Sequence, residues 1–180
     1  LIHTVSLAPV PVFIATPNAS LPGFYFAPAP GCSVLGDILY VPPFAEEMNR
    51  CRAMASIQAQ ALSALGHGVL VMDPRGTGDA PGEFEHADLD GWLDDLSAGV
   101  RWLREQGLGC NTLWGVRLGA TMAAVLAGRD PQIERLVLWQ PVVFRKTFWT
   151  QFLRIRIASE ISKADGIKST EALRQMSARG

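Results

Sequence analysis

The feature that most constrains this chain is an alternation. From Ile38 onward, short unbroken apolar runs alternate with longer segments whose apolar residues recur at helical spacing. Ile38–Val41 reads as a buried strand stopped by Pro42 and Pro43. Glu46–Leu65 follows as a helix with Met48, Cys51, Ala55, Ala59, Leu62 and Leu65 at helical spacing, ended by Gly66. Gly68–Met72 is the next run, closed by the turn-rich stretch Asp73–Gly82. Asp88 then serves as N-cap for a second helix that places Leu89, Trp92, Leu93, Leu96, Val100 and Leu103 on one face, and Gly107 ends it. Thr112–Trp114, Leu118–Leu126 and Leu136–Trp139 read in the same way as strand, helix and strand. A strand followed by a helix and another strand implies a βαβ crossover, hence parallel pairing with helices on both faces. Upstream, Val12–Ala15 and Phe24–Ala27 are separated by Pro17, Asn18, Ser20 and Pro22, which reads as an antiparallel pair joined by a loop. The expected class is α/β with a mainly parallel sheet.

Composition narrows the function classes. The 180 residues suffice for one domain with a substantial core. Hydrophobic residues at 48% and charged residues at 18% place the chain far from the signature of disorder. A net charge of -1 supplies no field toward nucleic acid or an anionic membrane, so a nucleic-acid partner is not expected. No stretch has the length of a membrane span, and LIHTVSLAPV at the start lacks both a charged n-region and a continuous apolar core. Cys32, Cys51 and Cys110 form no CxxC pair, which points to a reducing, cytoplasmic compartment. His86 stands near Glu83, Glu85 and Asp88, but no second histidine sits at ligand spacing, and His3 and His67 are equally isolated. His86 therefore reads as solvated, and neither a metal nor a cofactor is expected.

Three motifs stand at the ends of consecutive strands: Val41-Pro42-Pro43-Phe44-Ala45, Asp73-Pro74-Arg75-Gly76-Thr77-Gly78 and Gly115-Val116-Arg117-Leu118-Gly119. In this order they resemble the α/β-hydrolase superfamily, with an oxyanion-hole loop after the third strand, a DxRGxG turn after the fourth and a nucleophile elbow of GxSxG type after the fifth. Both elbow glycines are kept, because side chains at those positions would clash with the neighbouring strand and helix. PPFAEEMNR and GVRLGA further resemble the bacterial exosortase A system-associated hydrolases, type 2, over roughly residues 24 to 157. That family is tied to exopolysaccharide production by genomic association.

The resemblance implies a serine at the position held by Arg117 and, beyond the sixth strand, an acid and then a histidine. A guanidinium stays protonated and cannot attack an acyl carbon, and no histidine follows His86. Two readings of Arg117 stay open. With the backbone N–H groups of Phe44 and Leu118 it makes a site for a carboxylate or phosphate; alternatively it pairs with Glu46 or Glu47 and plugs the pocket. Glu46 and Glu47 read either as general bases raised by desolvation or as acids complementing a helix dipole. Asp73 and Arg75 read as ties that hold their turn together, and Cys110, lying before its strand, is a poor candidate for a thiol nucleophile.

The resemblance also implies a lid after the sixth strand. Phe144–Ile157 carries Phe144, Phe148, Trp149, Phe152, Leu153 and Ile157 beside Arg145, Lys146, Arg154 and Arg156, a pattern that equally admits a membrane-surface or partner-binding segment. The expected organisation is a hydrolase core over residues 1–143 and the start of a lid or cap over 144–180. Because a complete hydrolase sheet needs further strands, the chain is expected to be part of a longer protein. It is also expected to self-associate through an uncovered sheet edge and the lid segment. Two function classes follow: an ester or acyl hydrolase that uses carboxylate-activated water, and a non-catalytic protein that binds a small anionic or acyl ligand or joins an exopolysaccharide assembly.

Overall fold

Each strand of the sheet ends where the sequence supplies a turn, and the order in which the strands assemble determines what those turns face. The computed structural model of the protein describes residues 8–107 and 109–143. Its elements are β1 (Val10–Ala15), β2 (Ser20–Phe26), β3 (Gly36–Val41), α1 (Glu46–Ala64), β4 (His67–Met72), α2 (Leu89–Glu105), β5 (Cys110–Val116), α3 (Leu118–Arg129) and β6 (Arg135–Trp139). A single 3-10 turn, Phe84–His86, precedes α2. All of these elements lie in one compact unit, Leu1–Pro141. The expected lid, Phe144–Ile157, and the cap region 144–180 lie outside the described residues.

Among the described residues the sheet has six strands in the order β1-β2-β4-β3-β5-β6. β1 and β2 are antiparallel to each other and β2 is antiparallel to β4, whereas β4, β3, β5 and β6 run parallel. The inner parallel strands β3 and β5 are buried on both faces, which explains why they read as continuous apolar runs and not as alternations. Side chains still alternate across the sheet. Ile38, Tyr40, Val69, Trp114 and Val116 meet Ala55 and Ala59 of α1 on one face. On the other, Leu39 and Met72 close around Gly99 of α2, and α2 packs against α3. Gly99 is glycine for that contact, since a Cβ there would stand 2.6 Å from the Met72 sulfur.

Helix boundaries have local causes. Asp88 caps α2, its carboxylate accepting from the Gly91 N–H at 2.6 Å. α1 ends as the Leu65 N–H donates to the Leu62 carbonyl and the Gly66 N–H to the Ser63 carbonyl, both at 3.0 Å, with Gly66 at φ 97, a left-handed conformation that glycine adopts without strain. No helix among the described residues is long and apolar enough to cross a membrane.

Candidate functional site at the β5–α3 elbow

Arg117 is the single residue between β5 and α3, and its backbone is at φ 56, ψ -117. This is a region that L-residues avoid, at a cost of about 1–3 kcal/mol that the surroundings must offset. Two anchors hold it: the Arg117 N–H donates to the Trp139 carbonyl of β6 at 2.8 Å, and its carbonyl accepts from the Ala120 N–H at 3.1 Å. The flanking glycines are required sterically. A Cβ on Gly115 would lie 2.5 Å from the Ala120 Cα, and one on Gly119 would collide with the carbonyl oxygens of Val41 and Pro42. The elbow is therefore wedged between the ends of β3, β5 and β6.

The loop after β3 makes a second turn of the same kind. Ala45, the N-cap of α1, sits at φ 51, ψ -123, nearly the conformation of Arg117. It is preceded by Phe44, whose ring is 9% exposed and lies 5.4 Å from Phe84 and 5.7 Å from Trp92, centre to centre. Glu46 and Glu47 then occupy the first turn of α1, where the helix dipole favours acids. Glu46 is exposed. Glu47 is half-buried, and its Oε1 accepts from Arg117 Nε at 3.3 Å. Its Oε2 is buried without a hydrogen-bond partner among the described residues. The terminal nitrogens of Arg117 make no hydrogen bond among the described residues. Leu118 opens α3, one of the positions whose N–H lacks an acceptor within the helix.

The Asp73–Gly78 turn is held more firmly. Asp95 of α2 is fully buried and accepts from Arg75 Nε at 2.9 Å, Nη2 at 2.6 Å and the Arg75 backbone N–H at 2.9 Å. The Asp95 hydrogen bonds hold the guanidinium above its ordinary pKa. Asp73 Oδ2 accepts from Arg52 Nη2 of α1 at 2.8 Å and from the Asp79 N–H at 3.0 Å. Asp73 and Arg75 thus each tie the turn through a helix residue and not through one another. Trp92 Nε1 closes the arrangement on the Arg75 carbonyl at 2.9 Å.

Sequence reasoning missed Asp95, Arg52 and Trp92 in these roles. A signal for Asp95 was present: it lies three residues after Trp92, on the stripe of α2 that carries the apolar residues, and a carboxylate there requires a cation. The remaining candidates lie apart from the elbow. His86 is exposed with Nε2 3.8 Å from Glu85. His67 Nδ1 lies 3.3 Å from the Gly36 carbonyl. Cys110 is buried at the start of β5, at the end opposite Arg117, and burial pushes its thiol up to about 11. His3 lies outside the described residues.

Comparison with curated proteins finds no match. Among solved structures the chain is similar to an α/β serine hydrolase without a lid from Xanthomonas campestris, at 26% identity and a TM-score of 0.63, covering 76% of this chain and 63% of that one. It is also similar to a soluble variant of monoglyceride lipase from Saccharomyces cerevisiae in complex with a substrate analogue, at 19% identity and a TM-score of 0.68, covering 89% and 54%. An α/β serine hydrolase homologue from Coxiella burnetii matches at 22% identity and a TM-score of 0.62, covering 78% and 67%. The chain therefore spans between about half and two-thirds of the length of these three proteins. The fold is the α/β-hydrolase fold. With the model of the serine aminopeptidase S33 hydrolases matched over residues 37–175, the chain belongs to that family.

Proposed function

We propose that this hydrolase-family chain binds a small anionic ligand, a carboxylate or a phosphate, at its elbow instead of forming a serine acyl-enzyme. One observation carries the reading: Arg117 keeps the strained elbow backbone, φ 56 and ψ -117, while presenting a guanidinium in place of a nucleophile. Its ion pair to Glu47 is long and partly exposed, with both side chains about one-third accessible. An incoming anion exchanges with Glu47 at small cost, because such pairs are worth about 0–1 kcal/mol. The first turn of α3 adds N–H donors and a favourable dipole. The test is titration of the protein with acetate, phosphate and a longer acyl carboxylate, in parallel with Arg117→Ser. Binding that weakens by about 1.5–3 kcal/mol in the variant supports the reading. Equal affinity in both forms sinks it.

A second reading rests on Glu47 Oε2, buried without a hydrogen-bond partner among the described residues. A carboxylate held by Arg117 on one oxygen has the other available to accept a proton from water, which would make the site an ester or acyl hydrolase without a covalent intermediate. Ester turnover that is lost in Glu47→Gln and survives fluorophosphonate treatment would favour it. In either case we place the protein in a bacterial exosortase-associated exopolysaccharide system, in the cytoplasm. The lid, from residue 144, and self-association through the sheet edge belong to the same proposal. The support for that setting is the resemblance of PPFAEEMNR and GVRLGA.

A further inference from the structure

A recess lies between α1 and the antiparallel end of the sheet, lined in part by Pro42 and Met48. It measures about 290 Å³, near the lower bound of roughly 300 Å³ for pockets that hold small organic ligands. Its walls are mainly apolar: Phe24 and Phe26 of β2, Val71 of β4, and Met48 and Ala55 of α1. Phe24 is 48% exposed, an aromatic surface that water covers poorly.

The polar groups gather at one end. Arg52 and Asp73 line the recess, and Arg52 gives Asp73 only Nη2, at 2.8 Å. The other guanidinium donors make no hydrogen bond among the described residues, and a guanidinium carries five N–H groups. Tyr40 also lines the recess, is 3% exposed, and has a buried hydroxyl with no hydrogen-bond partner among the described residues. An orphaned buried hydroxyl is costly unless a ligand or water satisfies it. Burial, with the nearby Cys51, holds the Tyr40 phenol above its ordinary pKa despite Arg52, so at neutral pH it is a neutral O–H donor.

A slot with aromatic and aliphatic walls, a cation with spare donors and an unpaired hydroxyl at one end matches one kind of occupant. We infer that this recess binds an amphiphilic carboxylate, its hydrocarbon tail against Phe24, Phe26 and Val71 and its carboxylate on Arg52 and the Tyr40 hydroxyl. No elbow residue lines it. The inference is therefore independent of the ligand proposed for Arg117.

The probe is decanoate, titrated calorimetrically into the intact chain below its micellar concentration, with decanol as the uncharged control. Decanoate is expected to saturate and to bind at least about tenfold more tightly than decanol, the difference that a charge-assisted hydrogen bond makes. Phe24→Ser is expected to weaken both ligands, and Tyr40→Phe and Arg52→Gln to weaken decanoate alone. Since Arg52 also holds Asp73, Phe24→Ser at its half-exposed position keeps the test decisive if Arg52→Gln unfolds. Arg117→Ser is expected to leave decanoate affinity unchanged. Equal affinity for decanoate and decanol overturns the inference, as does binding lost in Arg117→Ser and kept in Phe24→Ser. Failure of the intact chain to bind also overturns it, including where removal of residues 1–7 then restores binding.

Discussion

Two arginines stand in turns after the parallel strands that flank β3, Arg75 after β4 and Arg117 after β5, and they are held in opposite ways. Arg75 meets a carboxylate that is 0% exposed, through two guanidinium bonds of 2.9 and 2.6 Å and a backbone N–H. Arg117 meets Glu47 through one nitrogen at 3.3 Å, with both side chains about one-third exposed. The first arrangement commits one edge of the guanidinium, Nε and Nη2, to a carboxylate withdrawn from water. The second strains the backbone at Arg117 while leaving its guanidinium largely uncommitted. A residue held in a costly conformation but loosely bonded through its side chain is what a binding site requires, and a scaffold requires the reverse.

The largest effect tests the Arg75–Asp95 pair. Arg75→Ser leaves the Asp95 carboxylate buried with only backbone support, and stability is expected to fall by about 3–5 kcal/mol in urea unfolding. A loss below about 1 kcal/mol would erase the distinction between the two turns.

Asp37 sharpens the comparison, because it is as buried as Asp95 but lacks an arginine. It accepts from the Tyr25 hydroxyl at 2.9 Å, and its second oxygen has no hydrogen-bond partner among the described residues. Gly68 is required beside it, since a Cβ there would collide with both groups. Burial raises the carboxyl to about 6 from 3.8, with the Tyr25 bond and His67 pulling it back. A raised carboxyl pKa means the folded form prefers the proton: stability is fully present below about pH 4 and falls as pH rises through about 6. Asp37→Asn removes that titration. Its unfolding free energy relative to the parent is expected to rise by about 2–3 kcal/mol between pH 4 and pH 8, since each tenfold change in proton affinity is worth about 1.4 kcal/mol. Parallel stability–pH curves would show that the buried carboxyl is not the cause.

What was legible in the sequence follows the range of each cause. The elbow and the strand–helix alternation were legible because most of their determinants are local: Gly115 answers to atoms of Gly119 and Ala120 in the same turn, and Pro42 and Gly66 punctuate their elements. The 3-10 turn at Phe84–His86 is too short to leave a period in the sequence. The Arg75–Asp95 pair spans 20 residues and depends on how α2 packs on the sheet, which no local pattern records. Which acid reaches Arg117 was not legible either. Glu46 and Glu47 point about 100° apart around α1, and the choice is made by the entry angle at Ala45, whose φ of 51 is a tertiary outcome.

The smallest expected effect decides the comparison from the other side. Arg117→Ser, Glu47→Gln and the double variant form a thermodynamic cycle that isolates the ion pair. If Arg117 is a plug, the pair has to resemble Arg75–Asp95, and the coupling should reach several kcal/mol. The geometry argues otherwise, since one contact at 3.3 Å between one-third-exposed groups lies in the regime where screening and side-chain entropy offset most of the Coulomb gain. The coupling is expected to be below about 1 kcal/mol and to shrink as salt is added. Replacing Arg117 also leaves no charge stranded, because Glu47 stays partly in water. The parent is not expected to label with a fluorophosphonate, because a guanidinium at the elbow cannot act as the nucleophile. Labelling of the parent would reveal a nucleophile other than the elbow residue, and a coupling as large as that of the buried pair would make Arg117 part of the scaffold.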